Sequence, residues 1–199
     1  MNRAGLRAVI FDLDGTLVDS QLDFAAMRQQ LGAPEEVGLL EYIADLSSQG
    51  DRDQAMAIIH RHEIAGAQAA HWMPGAEQTV HALRQQQIPI AIVTRNSRQA
   101  AQLTMERLGM PAMPLKARED AAPKPDPEAL LALASDWRIP PEHCAYVGDF
   151  RYDIEAAQRA GMLPVLYVGD GEVPTEYGAG VRVLRQFSSL TLWIESSAI

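Results

Sequence analysis

The chain alternates short apolar runs with longer segments of helical period. Val9-Ile10-Phe11 is apolar at every position, as in a strand buried on both faces, and it stops at Asp12-Leu13-Asp14-Gly15-Thr16. Arg7 to Phe11 is the first predicted strand. From Leu17 to about Pro74 no strand is expected. Three helices are predicted there, over Gln21–Leu31, Glu35–Leu46 and Asp51–Ala70. Gly32 and Pro34 end the first. Val37, Leu40, Ile43 and Ala44 give the second its period, and Ala55, Ile58, Ile59 and Ala65-Gly66 share one side of the third. Pro74-Gly75 then breaks the chain.

Beyond Gly75 the pattern becomes a regular alternation. Helices are predicted over Ala76–Gln87, Ser97–Leu108, Asp126–Trp137, Tyr152–Ala160 and Ser188–Glu195. Gly109 and Gly161 close two of them, while Asp126 caps a third with Pro127 in its first turn. Strands are predicted over Ile88–Val93, Ala112–Leu115, Cys144–Val147, Leu163–Val168 and Val181–Leu184. Such alternation predicts an α/β fold: a doubly wound parallel sheet, Rossmann-like, with helices on both faces. Residues 1–19 and 75–199 form this expected core, and residues 20–74 a small inserted α-helical cap.

Composition narrows the reading. A chain of 199 residues, 47% hydrophobic and 22% charged, suffices for one core plus an insertion. A formal charge of -9 and a pI of about 5.0 oppose phosphate backbones, so a nucleic-acid polymer is not an expected partner. No apolar run approaches the roughly 18 residues of a membrane span. The first apolar run meets Asp12 too early for a secretory signal, so a cytoplasmic protein is expected. Cys144, the single cysteine, lies in an apolar run and reads as a buried filler, with no intrachain disulfide to form.

Ligands of doubly wound sheets bind beyond the carboxyl ends of the strands. Reading the residues just past each strand gives Asp12 and Asp14, then Thr94-Arg95-Asn96, then Gly148-Asp149 with Asp153 four residues on. Between the second and third sets stands Lys124, on a loop stiffened by Pro123, Pro125 and Pro127. Acids for a cation, a hydroxyl, a lysine and backbone amides suit phosphoryl transfer. A carboxylate approaching a phosphate dianion is repelled, and Mg²⁺, a hard ion content with few carboxylates, neutralises both. Asp12 and Asp149 are its natural ligands. Lys124 and Thr94 would take phosphate oxygens, and Lys124 would hold the carboxylates together without substrate. The amides of Leu13 to Gly15 form a candidate anion nest.

Phe11-Asp12-Leu13-Asp14-Gly15-Thr16-Leu17 resembles the first motif of the haloacid dehalogenase superfamily. Thr94 looks like its second motif, Lys124 its third, and Gly148-Asp149-Phe150-Arg151-Tyr152-Asp153 its fourth. The insertion after the first motif is similar to the cap of subfamily I, which includes phosphoglycolate phosphatases and β-phosphoglucomutases. The resemblance implies that Asp12 is a nucleophile forming an aspartyl-phosphate and that Asp14 is the general acid and then base. It implies a Mg²⁺ site from Asp12, Asp149 and the carbonyl of Asp14, with Asp153 supporting the metal or Lys124. Two residues depart from the pattern. Phe150 stands where Ser or Thr is usual, and Arg95 before Asn96 is the less usual pair; Arg95 and Asn96 are candidate substrate contacts.

The expected activity is hydrolysis of a small phosphorylated metabolite. Phosphomutase, dehalogenase and non-catalytic binder are the alternatives, and Asp14 and Asp149 speak against the dehalogenase. His60 and His62 are two apart on a helix and face different ways, so no metal site is expected there. Gly169-Asp170-Gly171 is expected to be a plain loop. Arg28 is a weaker candidate for anion recognition. Substrate choice is expected from residues 20–74 and Arg95.

Overall fold

The computed structural model describes residues 5–174, 177 and 180–195. In chain order its elements are β1 (Ala8–Phe11), β2 (Val18–Asp19), α1 (Phe24–Leu31), α2 (Leu39–Ala44) and α3 (Gln49–Ala69). There follow β3 (His71–Trp72), α4 (Ala76–Gln85), β4 (Ile90–Val93), α5 (Arg98–Arg107), β5 (Leu115–Lys116) and α6 (Glu128–Trp137). After a short 3₁₀ turn come β6 (Cys144–Gly148), α7 (Arg151–Ala160), β7 (Leu163–Tyr167), β8 (Arg182–Leu184) and α8 (Ser188–Glu195).

Six strands form one sheet in the order β5-β4-β1-β6-β7-β8. Every pair is parallel, which is the expected doubly wound α/β architecture. From β1 the chain moves outward through β4 and β5, then crosses back to β6 and moves outward the other way. The direction reverses between β1 and β6, and a crevice opens at such a point beyond the carboxyl ends of the strands. Phe11 is level with Ile92 on one side and Val147 on the other. The polar residues that follow each strand therefore emerge at one height.

Side chains alternate across the sheet, so each strand feeds two layers. Val9, Phe11, Ile92 and Val147 pack with Val80 and Leu83 of α4 and with Leu190 and Ile194 of α8. Ile10, Ala91, Val93 and Tyr146 face Leu130 and Leu133 of α6 and Ala156 and Ala157 of α7. Cys144 is buried in this second layer as a free thiol whose pKa burial pushes up to about 11. A third, smaller cluster joins Met27, Leu39, Ile43, Ala55 and Ile59 across α1, α2 and α3.

The insertion departs from expectation at three points. First, it does contain strand. Val18 pairs with Trp72 and Asp19 with His71, antiparallel, and the Met73 N–H donates to the Leu17 carbonyl at 2.9 Å. Two-residue strands have no period to read, and their pairing closes a loop of more than fifty residues. Second, the first helix begins at Phe24 rather than Gln21. Gln21 is left-handed at φ 50°, and Asp23 caps the helix by accepting from the Ala26 N–H. Third, the second helix is only Leu39–Ala44. Gly38 is extended at its start, and Arg28 donates to the carbonyls of Pro34 and Val37, holding that stretch as a turn. Arg28 is thus tied to backbone, although it borders the cleft described below.

Smaller shifts have local causes. The strand expected at 112–115 forms at Leu115–Lys116, where the register beside Ile92 and Val93 permits pairing. Helix α6 starts at Glu128 with Pro127 as its cap residue, one step later than expected, while Asp126 Oδ1 still accepts from the Glu128 N–H. Gly169 to Gly171 is a turn closed by the Gly171 N–H on the Val168 carbonyl. Among the described residues no helix is long and apolar enough to cross a membrane.

Candidate active site

The site begins where β1 runs out. The Asp12 N–H donates to the Val147 carbonyl at 2.8 Å, a last rung between the central strands. The chain then turns tightly, with the Leu17 and Val18 N–H groups on the Leu13 carbonyl and the Gly15 N–H on the Val18 carbonyl. Gly15 is left-handed at φ 82°, and a Cβ there would stand 2.4 Å from Asp149 Oδ2. Only glycine gives both the turn and the approach of Asp149. Thr16 fixes Asp149 from the same turn by donating to its Oδ1 at 2.9 Å. The expected anion nest is accordingly reduced. The Gly15 amide is committed to Val18, and those of Leu13 and Asp14 remain without a bond to the described residues.

Lys124 is the hub. Its ammonium donates to Asp12 Oδ1 at 2.8 Å, Asp153 Oδ1 at 2.6 Å and the Tyr146 hydroxyl at 2.9 Å. An ammonium has three protons, and these three acceptors match them. The Tyr146 hydroxyl in turn lies 3.0 Å from the Val93 carbonyl. All four side chains are buried. A buried charge is tolerated only when paired and hydrogen-bonded, and this one is both. Burial opposes the charge on Lys124, but Asp12 and Asp153 outweigh it and hold its pKa above the ordinary lysine value.

The acids are pushed the other way. Burial raises Asp12 well above the usual carboxylate range, with Asp153 and Asp149 adding repulsion and Lys124 opposing. Burial raises Asp14 too, held back by the Ser20 and Asn96 side chains. Asp149 presents an edge to solvent, yet the protein packed around it, with repulsion from Asp153, pushes it up to about 6 against the Thr16 bond. Such raised carboxylates in a cleft mark a functional site more often than a structural one.

One oxygen each from Asp12, Asp149 and Asp153 lies within 4.8 Å of the others. That set of hard oxygens fits a Mg²⁺ ion. The three are not equivalent. Asp153 Oδ1 is bonded to Lys124, and its Oδ2 accepts from the Phe150 N–H at 3.0 Å at the start of α7. Asp12 Oδ2 and Asp149 Oδ2 carry none of the bonds described. Asp12 and Asp149 are therefore the ligand pair the geometry favours, and Asp153 supports Lys124 and the helix start. The Asp14 side chain is not in the cluster; it turns to Asn96.

The motif after β4 also converges on the site. Thr94 Oγ1 accepts from the Asn96 N–H at 3.0 Å, which leaves its own O–H to donate elsewhere. Asn96 Nδ2 donates to Asp14 Oδ2 at 3.0 Å. Arg95 is ion-paired with Glu41 of α2 and stacks on the Tyr152 ring, 4.7 Å from its centre. Asp14, Thr94, Arg95 and Asn96 line one cleft of about 800 Å³ together with Met27, Leu39 and Ile59 of α1, α2 and α3, and Phe150 stands exposed at its edge against Tyr152. His60 and His62 do not converge: His60 meets Gln99 and Ser97, and His62 meets Gln30.

Three participants escaped sequence reasoning. Tyr146 reads as one more apolar strand residue, and nothing local marks its hydroxyl. Thr16 reads as turn filler. Glu63 of α3 looks like a solvated helix residue, but it is buried and accepts from both Arg118 Nη atoms, at 2.5 and 3.2 Å. The one available signal was its place four residues after Ile59, in line with the apolar side of that helix.

Known proteins resemble the chain in sequence and in fold. The sequence profile of the haloacid dehalogenase-like hydrolases matches residues 6–161. A haloacid dehalogenase-like hydrolase domain-containing protein of Arabidopsis thaliana is 34% identical over 174 residues, covering 81% of this chain and 70% of its own. A phosphoglycolate phosphatase of Chromobacterium violaceum is 32% identical over 193 residues, covering 83% of this chain and 86% of its own. Among solved structures, a hydrolase from Pseudomonas syringae superposes with a TM-score of 0.74 at 24% identity, covering 97% of this chain and all of its own (100%). With its core fold, its ordered strand-end residues and these matches, the chain belongs to the haloacid dehalogenase-like hydrolases.

Proposed function

We propose that the protein is a Mg²⁺-dependent phosphatase that hydrolyses a small phosphorylated metabolite through an aspartyl-phosphate on Asp12. The observation that carries this reading is the buried Lys124 ammonium on Asp12, beside a Thr94 hydroxyl with its proton to give and a second acid, Asp14, two residues on. The relatives named as phosphatases support it.

Asp12 and Asp149 would hold the metal, which when bound supplies positive charge between the nucleophile and the phosphate oxygens. Lys124, Thr94 and the amides of Leu13 and Asp14 would grip those oxygens. A carboxylate oxygen of Asp12 bonds to phosphorus as the bond to the leaving oxygen breaks, and Asp14 gives that oxygen its proton. Asp14, now a carboxylate, then takes a proton from the water that attacks the aspartyl-phosphate. Inorganic phosphate leaves and the Asp12 carboxylate is restored. An insertion of only about 55 residues screens water poorly, which favours transfer to water over transfer to a second sugar. In this reading residues 20–74 act as the cap that selects the substrate.

Purified protein is expected to release phosphate from p-nitrophenyl phosphate with Mg²⁺ and to stop in EDTA. Turnover undiminished by EDTA would refute the metal assignment. Stability should follow the same groups. Asp149, raised to about 6 in the folded protein, binds a proton more tightly there than when unfolded. Its contribution to metal-free stability is thus greatest below about pH 4 and is lost as pH rises through about 6. Mg²⁺ binds the ionised acids, so the rise in Tm on adding it should be larger at pH 7.5 than at pH 5. A thermal melt series at both pH values checks this, and an equal rise at both would contradict it.

A further inference from the structure

Asn96 is bound to its own loop and to Asp14. It is buried, and each of its polar groups is engaged. Its N–H donates to Thr94 Oγ1, its Oδ1 accepts from the Ser97 N–H at 2.8 Å, and its Nδ2 donates to Asp14 Oδ2 at 3.0 Å. The orientation of the amide is fixed by chemistry. A backbone N–H can only donate, so the atom facing Ser97 is the amide oxygen and the one facing Asp14 is the nitrogen. The Ser97 N–H is itself gripped from the insertion, because Glu63 Oε2 lies 3.4 Å away as a second acceptor. Glu63 is locked by Arg118, whose Nη1 also reaches the Arg95 carbonyl at 3.2 Å. A helix of the insertion therefore braces the loop that carries Thr94 and Asn96.

The consequence falls on Asp14. Its Oδ2 receives the Asn96 N–H. Its Oδ1 is buried and makes no hydrogen bond, although the Ser20 side chain stands near enough to the carboxyl to hold its pKa down. In a carboxylic acid the carbonyl-like oxygen is the better acceptor, so an N–H on Oδ2 leaves the acid proton to Oδ1. A buried oxygen without a partner is unfavourable until something bonds to it. A leaving-group oxygen in the cleft would supply that bond. Taking the phosphatase reading as the basis, we infer that Asn96 is a positioning residue: it holds Asp14 so that the proton stands on Oδ1 and is delivered from there to the leaving group.

The test separates positioning of a proton from general support of the fold. Hydrolysis is measured for a series of aryl phosphates, from p-nitrophenyl, whose leaving group needs almost no proton, to unsubstituted phenyl, whose leaving group needs one. In Asn96→Ala, kcat/KM for phenyl phosphate should fall by roughly 100-fold, and that for p-nitrophenyl phosphate by less than about tenfold, since general acid catalysis is worth about 10²–10⁴. Asn96→Asp keeps the size and the acceptor facing Ser97 but removes the donor to Asp14, and it should show the same selective loss. An equal loss on both esters, or no loss on either, would overturn the inference. A wild-type protein that hydrolyses no member of the series would instead refute the phosphatase reading itself.

Discussion

Asp12→Asn should abolish turnover, lowering kcat by at least ~10⁴-fold, the scale on which loss of a nucleophile acts. The amide cannot attack phosphorus, and it is a poorer ligand for a hard cation. The substitution should nevertheless leave a folded protein. Asp12 is raised well above the ordinary carboxylate range by burial, so its charge is held in the metal-free state at a cost. A neutral residue of the same shape removes that cost, while Lys124 keeps Asp153 and Tyr146 as partners. Metal-free Asp12→Asn is therefore expected to melt no lower than the wild type and to gain less from Mg²⁺. Sites that trade stability for chemistry behave in this way. Melting curves with and without Mg²⁺, beside p-nitrophenyl phosphate assays, check both halves.

Lys124→Met should damage stability and activity together. It leaves Asp12 and Asp153 buried without their cation, and breaking a buried pair from one side costs about 3–5 kcal/mol. Urea unfolding at pH 7.5 should show that loss. The deficit should shrink toward pH 5, as Asp12, already raised by burial and now without the opposing Lys124 charge, takes up a proton. Activity should fall by roughly 10²–10³-fold, as when one preorganised donor to a developing oxyanion is removed. Lys124→Arg is not a conservative alternative. Three acceptors within 2.6–2.9 Å of one nitrogen suit a compact ammonium and not a planar fork. Stability equal to the wild type in Lys124→Met would show that the ammonium is not holding the acids.

What the sequence made legible follows from range. Asp12 and Asp14 could be read because acids directly after an unbroken apolar run are out of place, and both features lie within nine residues. Thr94, Asp149 and Lys124 could be placed because each follows a strand, or stands on a proline-stiffened loop, in an order a parallel sheet brings to one edge. The β2–β3 ribbon was not legible. It pairs Val18 with Trp72 across the whole insertion and has too few residues for a pattern. The buried Glu63–Arg118 pair joins residues 55 apart, one on α3 and one just past β5, which only the fold brings together. Tyr146 hides within a run where every neighbour is core, and only the fold shows that its hydroxyl meets Lys124. Asn96 was legible as a site residue, but its partner was not. Sequence suggested a substrate contact, and the structure gives it Asp14.

The division of labour between Asp12 and Asp14 is the centre of this account, and the stereochemical course at phosphorus tests it most directly. A phosphorothioate ester made chiral with two oxygen isotopes is hydrolysed by the wild-type protein in water carrying the third, and the configuration of the released thiophosphate is determined. Two in-line displacements, first by Asp12 and then by water, give net retention, which is the predicted result. Net inversion would mean that water attacks the ester in a single step, and Asp12 would then not be the nucleophile.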